Sequence, residues 1–211
     1  MEYMDEKIVE VMSDRQKDKA RHETKSHTDD SAQQQTPQRI IKIKGDILAF
    51  EEKSLLENKI SVPLPKTFSL MPPEMAAVKY ASEKRPTVIY GNENFSITIA
   101  FNHTESALRE EDMETFTNDM IQILKRTQPL ARWLEQGVRN VREKRIGFCE
   151  FIVPVWDDTL YNLFFFAELD ERVLLCTFNC PEEERKDWRP IARGIMDSLT
   201  LHANEKGEEK R

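Results

Sequence analysis

A two-residue alternation of hydrophobic and polar side chains predicts β-strands through most of the chain after residue 39. It is clearest at 95–101, where four apolar residues alternate with polar or small ones. That is the period of a strand with one buried face. The preceding Gly91–Asn94 favours a hairpin turn with Thr87–Tyr90. The hydrophobic pattern predicts further strands at Ile40–Leu48, Lys59–Pro65, Arg132–Val141, Arg145–Trp156, Thr159–Leu169 and Arg172–Cys180.

Apolar residues at helical spacing predict two main helices. The first carries an apolar stripe from Leu108 to Leu124, with acidic residues near its start and basic residues in its last turn, and Pro129 ends it. The second has Asp187 as its predicted N-cap. A shorter helix is predicted at Glu74–Tyr80, after two prolines. The buried face of the second main helix comprises Trp188, Ile191, Ile195 and Leu199.

The links between the predicted strands favour an antiparallel sheet. Parallel neighbours need a crossover connection of about a dozen residues or more. Turns such as Asp157-Asp158 and Asp170-Glu171 are far shorter than that. The sequence therefore predicts an α+β fold, a single domain at 39–202 with a twisted antiparallel sheet and two main helices.

The two strands Arg145–Trp156 and Thr159–Leu169 are apolar at both alternating sets of positions, so this part of the sheet needs cover on both faces. The two main helices can cover one face. The second face is either covered by loops and the chain before Ser61, or it is an apolar groove for a partner. Intramolecular cover is the favoured alternative, because monomers rarely expose large apolar patches. The residues assigned to the candidate partner-binding face are Ile152, Trp156, Phe164 and Phe166.

Both ends of the chain lack the apolar content of a core. Between Ser13 and Gln38 the only apolar residues are Ala20 and Ala32, too few to offset an ordering cost of about 1–2 kcal/mol per residue. We predict a disordered segment at 1–38 and a frayed tail at 203–211. Residues 2–12 are long enough for a short helix, either a frayed terminus or a tethered docking peptide. The apolar residues of this short segment at helical spacing are Met4, Ile8, Val11 and Met12.

Charge and composition exclude several classes of protein. The chain of 211 residues has 31 basic and 38 acidic residues, a net charge of −7, which argues against a dedicated nucleic-acid binder. Three cysteines are too few for a disulfide scaffold. No apolar run approaches the roughly 20 residues of a membrane-spanning helix, and the first residues do not resemble a signal peptide. We expect a cytoplasmic protein without stable membrane insertion.

The residues that could support catalysis or metal binding are few and scattered. A zinc site needs three or four converging ligands, and outside the segments predicted to be disordered or frayed the histidines are His103 and, at the last residue of the predicted domain, His202. The cysteines lie among apolar strand residues and are interpreted as core side chains. Six separate glycines form no phosphate-binding loop. No catalytic, metal or cofactor-binding residue is assigned, no cofactor is expected, and we expect that the chain is not an enzyme. The three cysteines are Cys149, Cys176 and Cys180.

The order of the predicted elements resembles a known superfamily. A strand with the sequence Ile60-Ser61-Val62-Pro63-Leu64-Pro65-Lys66-Thr67-Phe68 leads to a hairpin, a long helix, a three-strand meander and a closing helix with Trp188 and Ser198-Leu199. Over about residues 59–200 this resembles the PsbP-like superfamily. That superfamily includes Ran-binding nuclear import factors and a bacterial domain of unknown function found in chaperones of type VI secretion effectors. The chain is also similar to an uncharacterised cytoplasmic family of Gram-positive bacteria associated with contractile injection or polymorphic toxin genes.

The resemblance implies a fold and a class of function, and it implies no catalytic residues. It suggests a non-enzymatic protein-binding module, an adaptor or chaperone for a secreted effector, with an apolar effector segment on the second sheet face. The alternative is a cytoplasmic interaction or regulatory protein with a fully covered sheet and no cargo. Both hypotheses imply a protein partner and no nucleic acid, and both are compatible with a homo-oligomer. The strand Ile40–Leu48 and the polar N-terminal segment are features that the resemblance does not predict.

Overall fold

The computed structural model describes residues 40–43, 46–80, 85–156 and 158–202. The predictions for 1–38, including the short helix at 2–12, and for 203–211 lie outside the described residues. Three α-helices occur in the described part: α1 (Pro73–Lys79), α2 (Met113–Thr127) and α3 (Arg185–Met196). The strands β1 to β11 are Ile40–Ile43, Asp46–Leu55, Ile60–Pro65, Ser69–Leu70, Val88–Gly91, Thr98–Ala107, Arg132–Val141, Lys144–Pro154, Thr159–Leu169, Arg172–Pro181 and Thr200–Leu201.

The predicted α+β class is confirmed, but the strands form two antiparallel sheets where one was predicted. The larger sheet has the order β4-β5-β6-β10-β9-β8-β7, and the smaller has the order β1-β2-β3-β11. The segment predicted as one strand at Ile40–Leu48 forms a hairpin in which Ile41 pairs with Leu48. The smaller sheet is completed by β11, which pairs with Ile60 and Ser61 of β3. A strand that follows α3 thus closes a sheet begun near the start of the domain.

The elements form three layers with the larger sheet in the middle. One face of this sheet packs against α2, and β5 and β6 on the same face pack against α1. The other face packs against α3 and the smaller sheet, in a single cluster of buried side chains. Because β8, β9 and β10 are covered on both faces, their side chains are buried along nearly their whole length. This burial on both faces agrees with the sequence, in which both alternating series of positions along β8 and β9 are apolar.

The pairing of β8 with β9 corrects the predicted grouping of the candidate face. Ile152 lies opposite Tyr161, whereas Phe164 lies opposite Cys149. Directly opposite residues share a face of the sheet. Ile152 therefore lies on the face that packs against α3, and Phe164 and Phe166 lie on the face that packs against α2. The predicted set mixed the two faces, because a one-residue error in register exchanges them.

Two element boundaries also differ from the sequence prediction. Helix α3 begins at Arg185, after a 3₁₀ turn at Glu182–Glu184, so Asp187 lies inside the first turn and is not the N-cap. Three consecutive carboxylates at this end are stabilised by the positive end of the helix dipole. The strand predicted at 95–101 begins at Thr98, because Phe95 adopts a left-handed conformation with φ 53° in the preceding turn.

The close approach of α2 to the sheet depends on a glycine in β8. A Cβ atom built on Gly147 would lie 1.8 Å from Thr117 Oγ1 and 3.0 Å from Thr117 Cβ. Thr117 is itself buried, and its hydroxyl donates a hydrogen bond to the Met113 carbonyl at 2.7 Å. A side chain at position 147 would therefore push α2 away from the sheet.

We expect Gly147→Ala to lower the free energy of unfolding by about 1–3 kcal/mol, the usual cost of overpacking a close-packed core. Urea denaturation measures the change. The control is the double variant Gly147→Ala/Thr117→Ala, which removes the nearest atom and should recover part of the loss. If Gly147→Ala lowers the free energy of unfolding equally in the wild-type and the Thr117→Ala backgrounds, the proposed contact between Gly147 and Thr117 is contradicted.

Candidate functional site

Three of the four residues assigned to a partner-binding face are buried in the core. The exposed fractions are 2% for Ile152, 1% for Phe164 and 0% for Phe166, whereas Trp156 is 91% exposed. Within the described residues this part of the sheet is therefore covered on both faces, which agrees with the favoured alternative of intramolecular cover and contradicts the alternative of an open apolar groove. Of the predicted set, only Trp156 is accessible to a partner.

Aromatic contacts show how α2 covers its face of the sheet. The rings of Phe116 on α2 and Phe166 on β9 are nearly perpendicular, with ring centres 5.5 Å apart. Phe164 contacts Phe151 at 5.2 Å, and Phe151 contacts Trp133 on β7 at 4.9 Å. Such aromatic pairs stabilise the fold by more than the burial of their apolar area alone would. The long side chains of β8 and β9 thus form a continuous layer beneath α2.

A buried carboxylate on the opposite face connects the sheet with α3. The side chain of Glu150 is fully buried. Arg189 Nε donates to Glu150 Oε2 at 2.6 Å, and Arg193 Nε donates to Glu150 Oε1. Both arginines also donate to Glu135 on β7. The hydrogen bond from Arg193 holds the pKa of Glu135 below its usual value. The four charges cancel, so the cluster joins α3 to β7 and β8 without an unpaired buried ion.

The cysteines and His103 are not arranged for nucleophilic catalysis. All three cysteines are free and buried, as the sequence predicted, and burial raises the pKa of Cys180 to about 12. The pKa of Cys149 and of Cys176 is also raised by burial. A thiol held protonated in this way is a poor nucleophile. His103 Nε2 donates to the Leu169 carbonyl at 2.8 Å.

The described part of the chain contains neither a cluster of potential metal ligands nor a candidate membrane-spanning helix. Its histidine, cysteine, aspartate and glutamate side chains form no group of three or more that could hold a metal ion. None of its helices combines the length and the apolar character needed to cross a bilayer.

A polar cavity lies between α2 and the edge strand β7. It measures about 340 Å³. Its two arginines are already paired: Arg145 with Glu114 at 3.2 Å and Arg139 with Asp197 at 3.1 Å. A ligand that binds these arginines would have to compete with the two ion pairs.

Several exposed apolar residues lie at the end of the larger sheet where β7 begins and β8 ends. Arg132 pairs with Ile152, and both Leu130, before β7, and Trp156, after β8, lie beyond that pair. Leu130 is 78% exposed. Sequence analysis missed Leu130, although an apolar residue directly after Pro129 in a loop was the available signal. We name this surface the Trp156 patch, and its exposed members are Pro129, Leu130, Pro154 and Trp156.

Basic and acidic residues precede and follow, along the chain, the segments that carry the Trp156 patch. Lys125 and Arg126 are exposed in the last turn of α2, and Lys125 Nζ lies 5.2 Å from the ring centre of Trp133. Arg132 is paired with Glu182. Asp158 Oδ1 accepts a hydrogen bond from the Thr159 amide at 2.6 Å. The α2 side of the patch is therefore basic, whereas the turn after β8 is acidic.

A second exposed apolar surface lies on α1 and β4. Val78 is 86% exposed and Met75 is 44% exposed, three residues apart on α1. Glu74 adjoins them and is the acidic residue of the first turn. We name this surface the Val78 patch, and it consists of Leu70, Met75 and Val78.

Comparisons with known proteins identify the fold. The chain is similar in structure to PsbP (CyanoP) from the cyanobacterium Synechocystis sp. PCC 6803, with a TM-score of 0.53, 11% identity and coverage of 77% of this chain and 98% of that one. The fold is PsbP-like. No protein-family model matches the sequence, and no curated protein matches it.

Two further solved structures have lower scores. PA94 from Pseudomonas aeruginosa, a protein of unknown function, has a TM-score of 0.44 and 10% identity, over 74% of this chain and 99% of that one. LpqN from Mycobacterium tuberculosis, which is involved in cell envelope biogenesis, has a TM-score of 0.43 and 10% identity, over 67% of this chain and 82% of that one.

The burial of Phe166 predicts a large effect on stability. We expect Phe166→Ser to lower the free energy of unfolding by about 3–5 kcal/mol, because it removes a fully buried aromatic ring. Trp156→Ser is the matched control and should change it by less than about 0.5 kcal/mol, since that side chain is exposed. Urea denaturation compares the two variants. Similar small losses in both would show that the sheet is not covered by α2.

The buried ion cluster gives a second stability prediction. Glu150→Ala leaves two guanidinium groups without their shared carboxylate, and we expect a loss of about 3–5 kcal/mol. Glu114→Ala breaks an exposed ion pair with Arg145 and should cost less than about 1 kcal/mol. Chemical denaturation at neutral pH tests both variants. A loss for Glu150→Ala no greater than that of the control would mean that the cluster does not hold α3.

Proposed function

We propose that this chain is a non-enzymatic protein-binding module that binds its partner through the Trp156 patch. The observation that carries the proposal is the 91% exposure of Trp156. Tryptophan is enriched among the residues that contribute most to binding at protein interfaces. In the described part of the chain, Trp156 is the only aromatic residue among the large exposed hydrophobic side chains.

The surroundings of the patch indicate the chemistry of the partner. Leu130 and Trp156 provide apolar contact area, and Pro129 and Pro154 give it a backbone of restricted flexibility. Lys125 and Arg126 favour an approaching segment that carries carboxylates beside its apolar side chains. We therefore propose a partner segment with apolar anchors and flanking acidic residues.

The finer hypothesis is an adaptor or chaperone for a secreted effector, as the resemblance implies. The sheet has no free apolar face within the described residues, so we propose that an apolar effector segment contacts the Trp156 patch. The alternative is an interaction or regulatory protein with a fully covered sheet and no cargo. The burial of Phe164 and Phe166 supports this alternative over a chaperone whose effector segment lies on the face of the sheet. A cytoplasmic location is part of the same proposal.

Affinity capture with matched variants tests the proposed function. The full-length protein and its variants Trp156→Ala, Leu130→Ala and Val78→Ala are used as baits in a lysate of the source organism, and quantitative mass spectrometry compares the captured proteins. We expect a partner that is lost by roughly tenfold or more with Trp156→Ala, an effect of about 1.4 kcal/mol or more. Leu130→Ala should weaken capture, and Val78→Ala should leave it unchanged. The proposal fails if no captured protein depends on Trp156.

A further inference from the structure

We infer that the edge strand β7 binds the β7 strand of a second copy of this chain, antiparallel and with Gly137 on the two-fold axis. Within the described residues β7 is the last strand of the larger sheet and pairs with β8 alone. The unpaired edge of such a strand is a template for another strand. This surface is separate from the Trp156 patch, so the inference does not rest on the proposed function.

The turn between β7 and β8 determines which backbone groups of β7 point outwards. Arg142 and Glu143 form this turn with φ of 47° and 68°, as in type I′. The pair that flanks such a turn, Val141 and Lys144, is hydrogen-bonded. Hydrogen-bonded and non-hydrogen-bonded pairs alternate along an antiparallel ladder, and residues 135–141 pair with β8 without irregularity. The residues whose N–H and C=O groups point away from β8 are therefore Gln136, Val138 and Asn140.

The polar cavity between α2 and β7 shows that this edge is open. Residues 137–140 form one wall of the cavity, and the other lining residues belong to α2 and to Arg145 of β8. Successive residues of a strand face opposite sides of the sheet, so a cavity lined by four in succession opens at the edge of β7. A second strand would enter this space without displacing an element of the described domain.

The charges of β7 are complementary to those of a second β7 strand. With Gly137 on the axis, Gln136 of one copy lies opposite Val138 of the other, and the two residues exchange both N–H···O bonds. Glu135 then lies opposite Arg139 of the second copy, once on each side of the axis. This is a non-hydrogen-bonded position, where opposed side chains are closest, and opposite charges there stabilise the pairing.

Other registers of the same pairing lack this complementarity. An axis at Val138 places Arg139 opposite Gly137 and Glu135 opposite Val141, so neither charge meets its opposite. An axis at Arg139 opposes two arginines, and an axis at Glu135 opposes two carboxylates, which is destabilising. An unrelated extended segment would need both charges at the same spacing, whereas a second copy carries them already.

Both charged side chains can form the intermolecular pair while keeping their partners within the chain. Arg189 and Arg193 both donate to Oε2 of Glu135, and the second carboxylate oxygen can accept from another donor. Arg139 Nη1 lies 3.1 Å from Asp197 Oδ1, and a guanidinium group has further N–H donors. The side chains of Glu135 and Arg139 are both partly exposed. The pairing therefore does not require the ion cluster at α3 to break.

The interface formed in this way is small, so we expect a dimer that dissociates on dilution. Contacts of small area are typical of weak and transient complexes. The dimer would carry two copies of every surface of the domain, and a ligand with two binding segments would then gain avidity.

Sedimentation velocity of the full-length protein at increasing concentration tests the inference. We expect a dimer whose fraction rises with concentration. Gln136→Pro removes an outward N–H and should abolish the dimer, since an edge strand tolerates proline where its N–H faces solvent. Gln136→Ala keeps the N–H and is the matched control. Arg139→Glu should raise the dissociation constant about tenfold or more, whereas Arg139→Lys should retain the dimer. Circular dichroism verifies that each variant is folded.

Disulfide formation between introduced cysteines tests the register. The natural cysteines are buried, so a thiol placed on the edge of β7 is the accessible one. A mixture of Gln136→Cys and Val138→Cys chains should crosslink between the two variants faster than either variant crosslinks with itself. Preferential crosslinking of Val138→Cys with itself would overturn the proposed pairing.

Three results of the sedimentation experiment would also overturn the inference. The first is a chain that stays monomeric at every concentration, and the second is a dimer that survives either Gln136→Pro or Arg139→Glu. The third is a dimer that is lost with Trp156→Ala, which would place the contact at the Trp156 patch. Partner capture that depends on Trp156 retains the proposed function in each case, because the two surfaces are tested by different variants.

Discussion

The central strands of the larger sheet are apolar on both faces, and this constraint determines the arrangement of the other elements. Leu163 and Phe165 face one side of β9, and Phe164 and Phe166 face the other. Neither face can remain in water without exposing several aromatic rings. The chain covers one face with α1 and α2 and the other with α3 and the smaller sheet. The extra N-terminal hairpin, which the sequence resemblance did not predict, therefore belongs to a layer that the sheet requires.

Different interactions position α2 and α3 on the two faces of the sheet. Helix α2 packs closely because Gly147 has no side chain opposite Thr117. Helix α3 is held by the fully buried Glu150 carboxylate, which pairs with Arg189 and Arg193. Close apolar packing is non-directional, whereas a buried carboxylate with two guanidinium partners has a defined geometry. The ion cluster thus specifies the position of α3 along the strands more sharply than hydrophobic contact can.

Sequence analysis identified the strands and helices well and failed on the relation between neighbouring strands. The two faces of β8 and of β9 were each separated correctly, but Ile152 was grouped with Phe164. When one face of a sheet is polar, a shift of one residue would bury polar groups, so the pattern determines the register. Here both sets are apolar, and the pattern carries no such information. The Glu150 cluster was missed for another reason, although a glutamate inside an apolar strand was its signal. Its partners lie on a helix that is distant in sequence.

The same constraint explains why the candidate binding surface lies at an end of the sheet. A sheet covered on both faces leaves its edges and ends for contact with other molecules. The edge strand β7 carries a register irregularity between Trp133 and Glu135, and such irregularities oppose the addition of another strand at that point. At the end of the sheet, Trp156 and Leu130 lie beyond the last residue pair of β7 and β8 and are exposed, since no layer formed by the described residues covers them. An apolar surface in that position can bind and release a partner without disturbing either core.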